Sequence, residues 1–509
     1  RFPHVYAQNG ARTRTRFDEL SEEYETTLGE AVEEAGDQSA GRPPRSVLVQ
    51  PGYATGDQFG VAAALLGDKE LHVVVLGVPE GADSRDKGEA IVQFYRDSGV
   101  DPERVHFRRV GSFDRFRDSE ARNAVEDVVR GVNPGIALSK GQMKKLRIPV
   151  DFSTAWVAEH FSEDLRRTLR HAWGLDDGRF GQEDQAKVAD WLAGRGITVE
   201  PGREVIVLWS RFSSKRGDVH VEHDTSYRGM EQLLDAVQER TKDSLRRPLV
   251  LIAGDSKVND QRPDHYSAMT AERRARGLDV HDLTDFWTDT DGVRSWGGDT
   301  RVGQMRLYEY LHRRSAGRLK HLGFRSGSLE ALALAGHGVR YLEEPGSNGG
   351  DRMAKWHEAD KSGRTARGGL ATGYERILIT RPPTVSGQIV LGLKNELIWK
   401  KQEYKKADTL SRNQEEINRL TEEFQFPRWV VGRDNIRRAE KPVKPGLAKG
   451  FADEDVRKIT DYLVGAPASD ESAFPYRGRW NRAAAVPAAS TALSPVAEWS
   501  PGGERQRDL

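Results

Sequence analysis

A chain of 509 residues is too long for one compact core, so two or three domains are expected. Its 78 Lys and Arg residues balance its 78 Asp and Glu residues, which argues against a general polyanion binder and against nucleic acid as a partner. The absence of Cys excludes disulfides, thiolate zinc sites and cysteine nucleophiles, and no apolar run approaches the roughly 18 residues of a membrane span.

The N-terminal sequence lacks the basic-then-apolar order of a signal peptide, and the first residue is Arg1 rather than Met. We therefore expect a soluble protein that is either cytoplasmic or delivered as part of a larger polypeptide. Composition and periodicity predict five segments. They are a helical arm with a linker (1–44), a first α/β domain (45–200), a second α/β domain (201–394), a helical extension (395–464) and a flexible tail (465–509).

Strand-like and helix-like patterns alternate in the first domain, as they do in parallel-sheet proteins. The predicted strands are 46–50, 72–76 and 105–109, with helices at 58–66 and 87–98. Amphipathic helices are then predicted at 120–130, 157–173 and 182–194.

The same alternation resumes in the second domain, with strands at 205–209 and 248–253, a helix at 229–241, a short strand within 276–283 and a helix at 302–313. Residues 395–424, rich in Lys, Glu and Gln, predict one or two long surface helices.

The stretch 319–352 predicts a buried helix followed by a short strand at 339–342. Ser326 or Ser328 suits the helix N-cap, and a glycine follows the helix, as expected of a C-cap. Glu343 and Glu344 would then lie at the carboxyl end of the strand, where open α/β sheets bind ligands. Because a helix N-terminus suits an anion, the stretch predicts an anion site. An ordinary αβ unit with well-made caps is the alternative.

Two loops add to this hypothesis. The first, 209–220, carries Arg211 and Arg216 directly after a buried strand, and guanidinium groups there suit a pyrophosphate. A solvated run of charges is the alternative. The second, 50–58, has Gly52 and Gly56 but forms neither a GxGxxG nor a Walker A motif. It is either a loop facing an acceptor, with Asp57 as a polar contact, or a plain strand-to-helix turn.

Taken in order, the segments 206–216, 251–255 and 324–330 resemble the donor half of GT-B glycosyltransferases, most nearly the fucosyltransferase-like group. In that group a strand runs into a basic loop with Arg, a second strand ends in an acidic residue, and a helix start with Ser follows. This chain departs from the group where Ser210 stands in place of the usual His and where Arg211 and Arg216 are separated.

The resemblance implies an α/β fold with two Rossmann-like domains facing a cleft (GT-B type), a helical C-terminal extension, and sugar transfer from a nucleotide-sugar donor to a protein or glycan acceptor. Arg211 and Arg216 would neutralise the leaving diphosphate. The donor-binding residues expected on this basis are Arg211, Arg216, Asp255, Arg325, Ser326, Ser328, Glu343, Glu344 and Arg352. A general base for direct displacement is open among His220, Glu222 and Asp57.

Two patterns suggest metal ligands, namely His220 with His223, and Asp289 with Asp291. Both occur in loop-like sequence, so we expect no metal and no cofactor beyond the nucleotide-sugar substrate. A hydrolase that consumes a nucleotide sugar or NAD is an alternative function, and so is a non-catalytic component of a larger assembly.

Overall fold

The computed structural model describes most of residues 44–465. The described ranges are 44–83, 86–111, 119–150, 152–211, 223, 225, 227–256, 265–286, 289–344, 353–379 and 450–465, together with two short strands at 429–431 and 436–438. The predicted helices within 395–424, the N-terminal arm and the tail from 466 lie outside these residues.

The first domain is a parallel four-stranded sheet in the order β3-β2-β1-β4. Its strands are β1 (Val47–Pro51), β2 (His72–Gly77), β3 (Val105–Arg109) and β4 (Arg147–Pro149). The helices between them are α1 (Gln58–Gly67), α2 (Gly88–Asp97), α3 (Ser119–Val132) and α4 (Lys140–Lys145). The sequence predicted three of these strands and missed β4, which is only three residues long.

Three helices connect the domains: α5 (Phe152–His160), α6 (Glu163–Ala172) and α7 (Gln182–Ala193). The prediction of a single helix over 157–173 is wrong, because α5 ends at His160 and a second helix begins after Ser162. Ser162 has extended backbone there, and its hydroxyl accepts a hydrogen bond from the Leu165 N–H at 3.1 Å, which starts α6.

The second domain is a parallel six-stranded sheet in the order β10-β9-β8-β5-β6-β7. Its strands are β5 (Val205–Ser210), β6 (Leu249–Gly254), β7 (Val280–Asp282), β8 (Leu319–Phe324), β9 (Gly338–Glu343) and β10 (Tyr374–Leu378). Its helices are α8 (Tyr227–Thr241), α9 (His265–Ala275), α10 (Thr290–Arg294), α11 (Arg306–Arg314), α12 (Gly327–Leu334) and α13 (Asp453–Val464). Counted from β5, this is the Rossmann order, and the first sheet shows the first four strands of the same order.

Both sheets are covered on both faces, since every residue of β2, β5 and β6 is buried. One continuous apolar core joins the domains and includes Phe59 of the first, Val207 of the second and Leu332 of α12. The strands 429–431 and 436–438 pair antiparallel with each other. Within the described part of the chain, no helix is long and apolar enough to cross a membrane.

The last described helix, α13, packs against α8 of the second domain. Ile459 and Leu463 are fully buried there. The hydroxyl of Tyr462 lies 3.3 Å from the carbonyl oxygens of His321 and Gly338, to which it can donate. The second domain therefore includes a segment far beyond its sheet in the sequence.

A buried chain of hydrogen bonds runs beside the second sheet. The Trp209 indole lies 3.3 Å from His321 Nδ1, His321 Nε2 lies 3.3 Å from His337 Nδ1, and His337 Nε2 lies 3.1 Å from Glu309 Oε2. Because an indole can only donate, each imidazole must accept at Nδ1 and donate at Nε2, which makes His321 and His337 neutral. Burial lowers the pKa of both rings, consistent with this assignment.

Candidate functional site

The strand order of the second sheet reverses between its neighbouring strands β5 and β8. From β5 the chain continues to β6 on one side, and from β8 it continues to β9 on the other side. In open α/β sheets a ligand crevice lies outside the carboxyl ends of such strands. Arg211 follows β5 directly, and Arg325 follows β8 directly. The Arg211 guanidinium donates through Nη1 to the Arg325 carbonyl oxygen. Arg211 and Arg325, both predicted as donor-binding residues, are therefore in contact at this point.

Thr225 fixes the backbone of Arg211. Its hydroxyl accepts from the Arg211 N–H at 3.1 Å and donates to the Trp209 carbonyl at 3.0 Å, and its own N–H donates to the Arg211 carbonyl at 3.0 Å. Thr225 is buried, so this clamp holds the end of β5 in one conformation. No sequence motif marked Thr225, because its partners are backbone groups fourteen or more residues away.

The helix start predicted at Ser326 is confirmed. Ser326 has extended backbone, and its hydroxyl lies 3.4 Å from the Leu329 N–H, from which it accepts as the N-cap of α12. Its own N–H donates to the hydroxyl of Tyr374 on β10 at 3.2 Å. Ser328 is buried within the first turn. The amino end of α12, where anions are favoured, thus lies directly beside Arg325 and opposite Arg211.

Glu343 ends β9, and Glu344 follows it, so both acids lie at the carboxyl edge as predicted. Both are 1% exposed. Glu343 lies between two guanidinium groups, with Oε1 3.5 Å from Arg325 Nε and Oε2 3.3 Å from Arg376 Nη1. Through these contacts Glu343 holds the two arginines in place at the strand ends.

His223 completes this cluster. Its Nε2 lies 3.1 Å from Nη2 of Arg325. Arginine can only donate, so this imidazole nitrogen accepts, and its lone pair is engaged by the guanidinium. The sequence pattern suggested His223 as a metal ligand, whereas its described contact is with Arg325.

Two stacked tyrosines support the same edge of the sheet. The rings of Tyr341 and Tyr374 lie 4.4 Å apart at an interplanar angle of 25°. The Tyr341 hydroxyl lies 3.3 Å from Nε2 of His357. Burial, reinforced by Arg376, lowers the pKa of His357 to about 4, so this ring is neutral at pH 7.

Asp255 reaches the same edge from β6. Its N–H donates to the Ser210 carbonyl at 3.0 Å. The preceding Gly254 has a φ of +93°, and a Cβ on it would lie 2.1 Å from the Ser210 oxygen. Only glycine allows this close approach of β6 to β5.

The loop after β1 contacts this site from the first domain. A Cβ on Gly327, the first residue of α12, would lie 2.5 Å from the Gly56 carbonyl oxygen, so the absence of a side chain on Gly327 allows the backbone of Gly56 to approach. Asp57 follows Gly56 and immediately precedes α1. Of the three candidate bases, Asp57 is the one described, and its loop touches the start of α12.

Asp289, considered above as a metal ligand, accepts hydrogen bonds from protein groups instead. Its Oδ2 accepts from the Trp191 indole and the Arg195 guanidinium, both at 2.8 Å, and its Oδ1 accepts from the Gly292 N–H. Burial would raise the pKa of this carboxyl, but these donors outweigh burial and lower it. Among the described residues no group of three His, Asp or Glu side chains has metal-binding geometry. Arg216, His220, Glu222 and Arg352 lie outside the described residues.

These features define a two-domain α/β protein of GT-B type, in which the carboxyl edge of the second sheet meets a loop of the first. No family model matches the sequence, and no curated protein matches it significantly.

Three solved structures show a partial likeness. They are UDP-GlcNAc 2-epimerase from Neisseria meningitidis bound to UDP-GlcNAc (10% identity, 61% of this chain and 85% of that one, TM-score 0.33), ADP-heptose LPS heptosyltransferase II from E. coli (11%, 70% and 99%, 0.28) and HepE from Anabaena in complex with UDP and glucose (12%, 58% and 80%, 0.26). None of them fixes a donor or an acceptor for this chain.

Proposed function

We propose that the protein is a glycosyltransferase that moves a sugar from a nucleotide-sugar donor to an acceptor hydroxyl by direct displacement, without a metal ion. The observation that carries the proposal is that Arg211, Arg325 and the amino end of α12 lie together at the point where the strand order of the second sheet reverses. A diphosphate is the ligand class that suits two guanidinium groups beside a helix N-terminus.

In this reaction the acceptor oxygen attacks the anomeric carbon, the bond from that carbon to the diphosphate oxygen breaks, and a base takes the acceptor proton. Arg211 stabilises the charge that grows on the leaving diphosphate. Ser326 and Ser328 contribute the start of α12, and we expect Arg216 and Arg352, which lie outside the described residues, to bind the same diphosphate.

Glu344, which directly follows β9 at the carboxyl edge of the sheet, binds a hydroxyl of the donor ribose, and Glu343 holds Arg325 and Arg376. Asp255 lies at the neighbouring strand end and bounds the pocket on that side. Asp57 is the base that we favour over His220 and Glu222, because its loop contacts the start of α12. The acceptor would then bind to the first domain, next to the loop that carries Asp57. Within GT-B enzymes we propose the fucosyltransferase-like group, on the order of the segments 206–216, 251–255 and 324–330 in the sequence.

The first experiment measures thermal stabilisation across sugar nucleotides and NAD. A ligand present at about 100 times its dissociation constant adds roughly 2.7 kcal/mol of stability. We expect one sugar nucleotide to stabilise the wild type and to lose that effect in Arg211→Ala. The matched control is Arg318→Ala, an exposed arginine that precedes β8 at the opposite edge of the sheet. No shift with any nucleotide would contradict the proposal and favour a binding component of a larger assembly.

The second experiment separates transfer from hydrolysis. With the stabilising donor, glycosyl transfer predicts a donor-dependent mass increase on a protein or glycan mixture, unchanged by EDTA. Release of free sugar without any labelled acceptor would instead identify a hydrolase.

A further inference from the structure

A buried polar chain lies beneath the loop 52–57. Gln50 is fully buried at the end of β1. Its Nε2 donates to the Ala54 carbonyl at 2.6 Å, and its Oε1 accepts from the hydroxyl of Tyr95 on α2. The loop that carries Asp57 is therefore tied from below to the interior of the first domain.

Arg301 reaches the same place from the second domain. It lies between α10 and α11, and its Nη1 donates to Oε1 of Gln58, the first residue of α1. Its guanidinium carbon lies 5.8 Å from the ring centre of Phe59 and 5.5 Å from that of Phe94, which are cation–π distances. An arginine of one domain is thus embedded in an aromatic cluster of the other.

Arg301 lies beside the amino end of α1, where a positive charge needs a nearby negative partner. The amino end of α1 carries positive partial charge and disfavours an arginine unless a carboxylate lies nearby. Asp57 immediately precedes α1. Burial raises the pKa of Tyr95, and the charges of Asp57 and Arg301 act on the same hydroxyl in opposite directions. Asp57 and Arg301 are therefore both close enough to this phenol to act on its charge.

We infer that Arg301 is a positioning residue, which acts across the domain interface to hold the loop 52–57 so that Asp57 faces the donor site. The inference rests on the proposed function, in which Asp57 is the base. It also implies that the base is placed only while the two domains keep this contact. Because a shift of about 1 Å in a reacting group can cost about 100-fold in rate, a distant cation can control turnover in this way.

The test compares Arg301→Gln, Arg301→Lys and the control Arg306→Gln. Arg306 is a good match because its guanidinium lies 5.0 Å from the Phe180 ring and donates to the Trp296 carbonyl, away from Asp57. We expect Arg301→Gln to lower kcat by about 10- to 100-fold with donor KM nearly unchanged, and Arg301→Lys to recover at least part of the loss. We expect Arg306→Gln to keep kcat near wild type.

A double variant shows whether Arg301 acts through Asp57. If it does, adding Arg301→Gln to Asp57→Asn lowers kcat no further, whereas independent effects would multiply. Multiplying effects, a wild-type kcat in Arg301→Gln, or a lysine variant no better than the glutamine variant would each overturn the inference.

Hydrogen exchange separates this inference from the proposed function, because it requires no substrate. The amides of residues 52–57 should exchange faster in Arg301→Gln than in the wild type or in Arg306→Gln. Unchanged exchange there overturns the positioning role even in an active enzyme. Faster exchange together with full activity of Asp57→Asn would instead reject Asp57 as the base while leaving the contact in place.

Discussion

Glu309 on α11 accepts hydrogen bonds from three side chains while fully buried. Its partners are Arg170 on α6, whose Nη1 lies 3.0 Å from Oε2, Arg313, whose Nε lies 2.6 Å from Oε1, and His337. Burial would raise the pKa of this carboxyl, but Arg170 and His337 outweigh burial and hold it well below its usual value. The charge is therefore retained inside the protein, and its partners depend on it.

Replacing Glu309 should be costly. Glu309→Gln removes the buried carboxylate that pairs with the partly buried Arg170 and Arg313, although Arg313 keeps its contact with Asp177. Breaking a buried pair typically costs about 3–5 kcal/mol, and we expect a loss toward the lower end of that range. The control is Glu375→Gln, because Glu375 is 53% exposed and pairs with Arg340 at 2.7 Å, a contact worth about 0–1 kcal/mol. Urea denaturation measures both, and equal losses in the two variants would contradict the assignment.

The buried histidines predict how stability depends on pH. Burial, reinforced by His337, lowers the pKa of His312 to about 3. The unfolded chain has a histidine pKa of about 6.5, so it binds the proton first as pH falls. The stability due to neutral His312 is therefore complete above pH 6.5 and falls below it by about 1.4 kcal/mol per pH unit until the folded pKa is reached. In His312→Gln, the slope of the free energy of unfolding between pH 6.5 and 5 should be smaller by about one proton. An unchanged slope would reject this role.

Gly254 controls how closely β6 approaches β5 at the candidate site. Gly254→Ala adds both backbone strain at a positive φ and a clash with the Ser210 carbonyl. Gly196→Ala is the control, since Gly196 also has a positive φ of +72° but has open space around its Cβ position. We expect Gly196→Ala to cost roughly 1–2 kcal/mol and Gly254→Ala to cost about 1–3 kcal/mol more. Only Gly254→Ala should also weaken donor binding, measured by calorimetry, because it displaces Asp255.

Helices and strands with strong local signals were predictable, and those defined by distant partners were not. The strands β1, β2, β5 and β6 are apolar runs, and their positions were predicted within about one residue. By contrast β8 contains Lys320 and His321, and it is a strand because it pairs with β5 and β9, so its own composition did not reveal it. The break at Ser162 was missed although the sequence marks it, because a Ser followed by Glu163 and Asp164 is a local helix-start signal.

The candidate site was predicted in part for the same reason. Arg211, Asp255, Ser326 and Glu343 each follow or end a strand, or begin a helix, so local pattern was enough to find them. Their convergence depends on the order β9-β8-β5-β6, which arises from long-range pairing. Thr225, Tyr374, Arg376 and Arg301 were missed because their contribution lies in contacts with residues remote in sequence.

The contact between Gly56 and Gly327 predicts how tightly the two domains can approach. Gly327→Ala places a methyl group against the Gly56 carbonyl and should push the first-domain loop away from α12. Gly56→Ala is a control on the other side of the same contact, because its Cβ position has nothing within 4 Å. Small-angle scattering should show a larger radius of gyration, and kinetics a lower kcat, for Gly327→Ala alone. Equal behaviour of the two variants would indicate that the contact does not set the domain spacing.

The docking of α13 has a consequence for biosynthesis. Phe451, Ile459 and Leu463 belong to the same buried cluster as Ile206 and Val250 of the central strands. A chain emerging from the ribosome therefore exposes part of that apolar cluster until residue 464 has left the exit tunnel, long after β10 has been synthesised. At about 5–20 residues per second this interval lasts several seconds, during which the nascent second domain is a natural client for chaperones. Completion of the second domain therefore waits for a segment made well after its last strand.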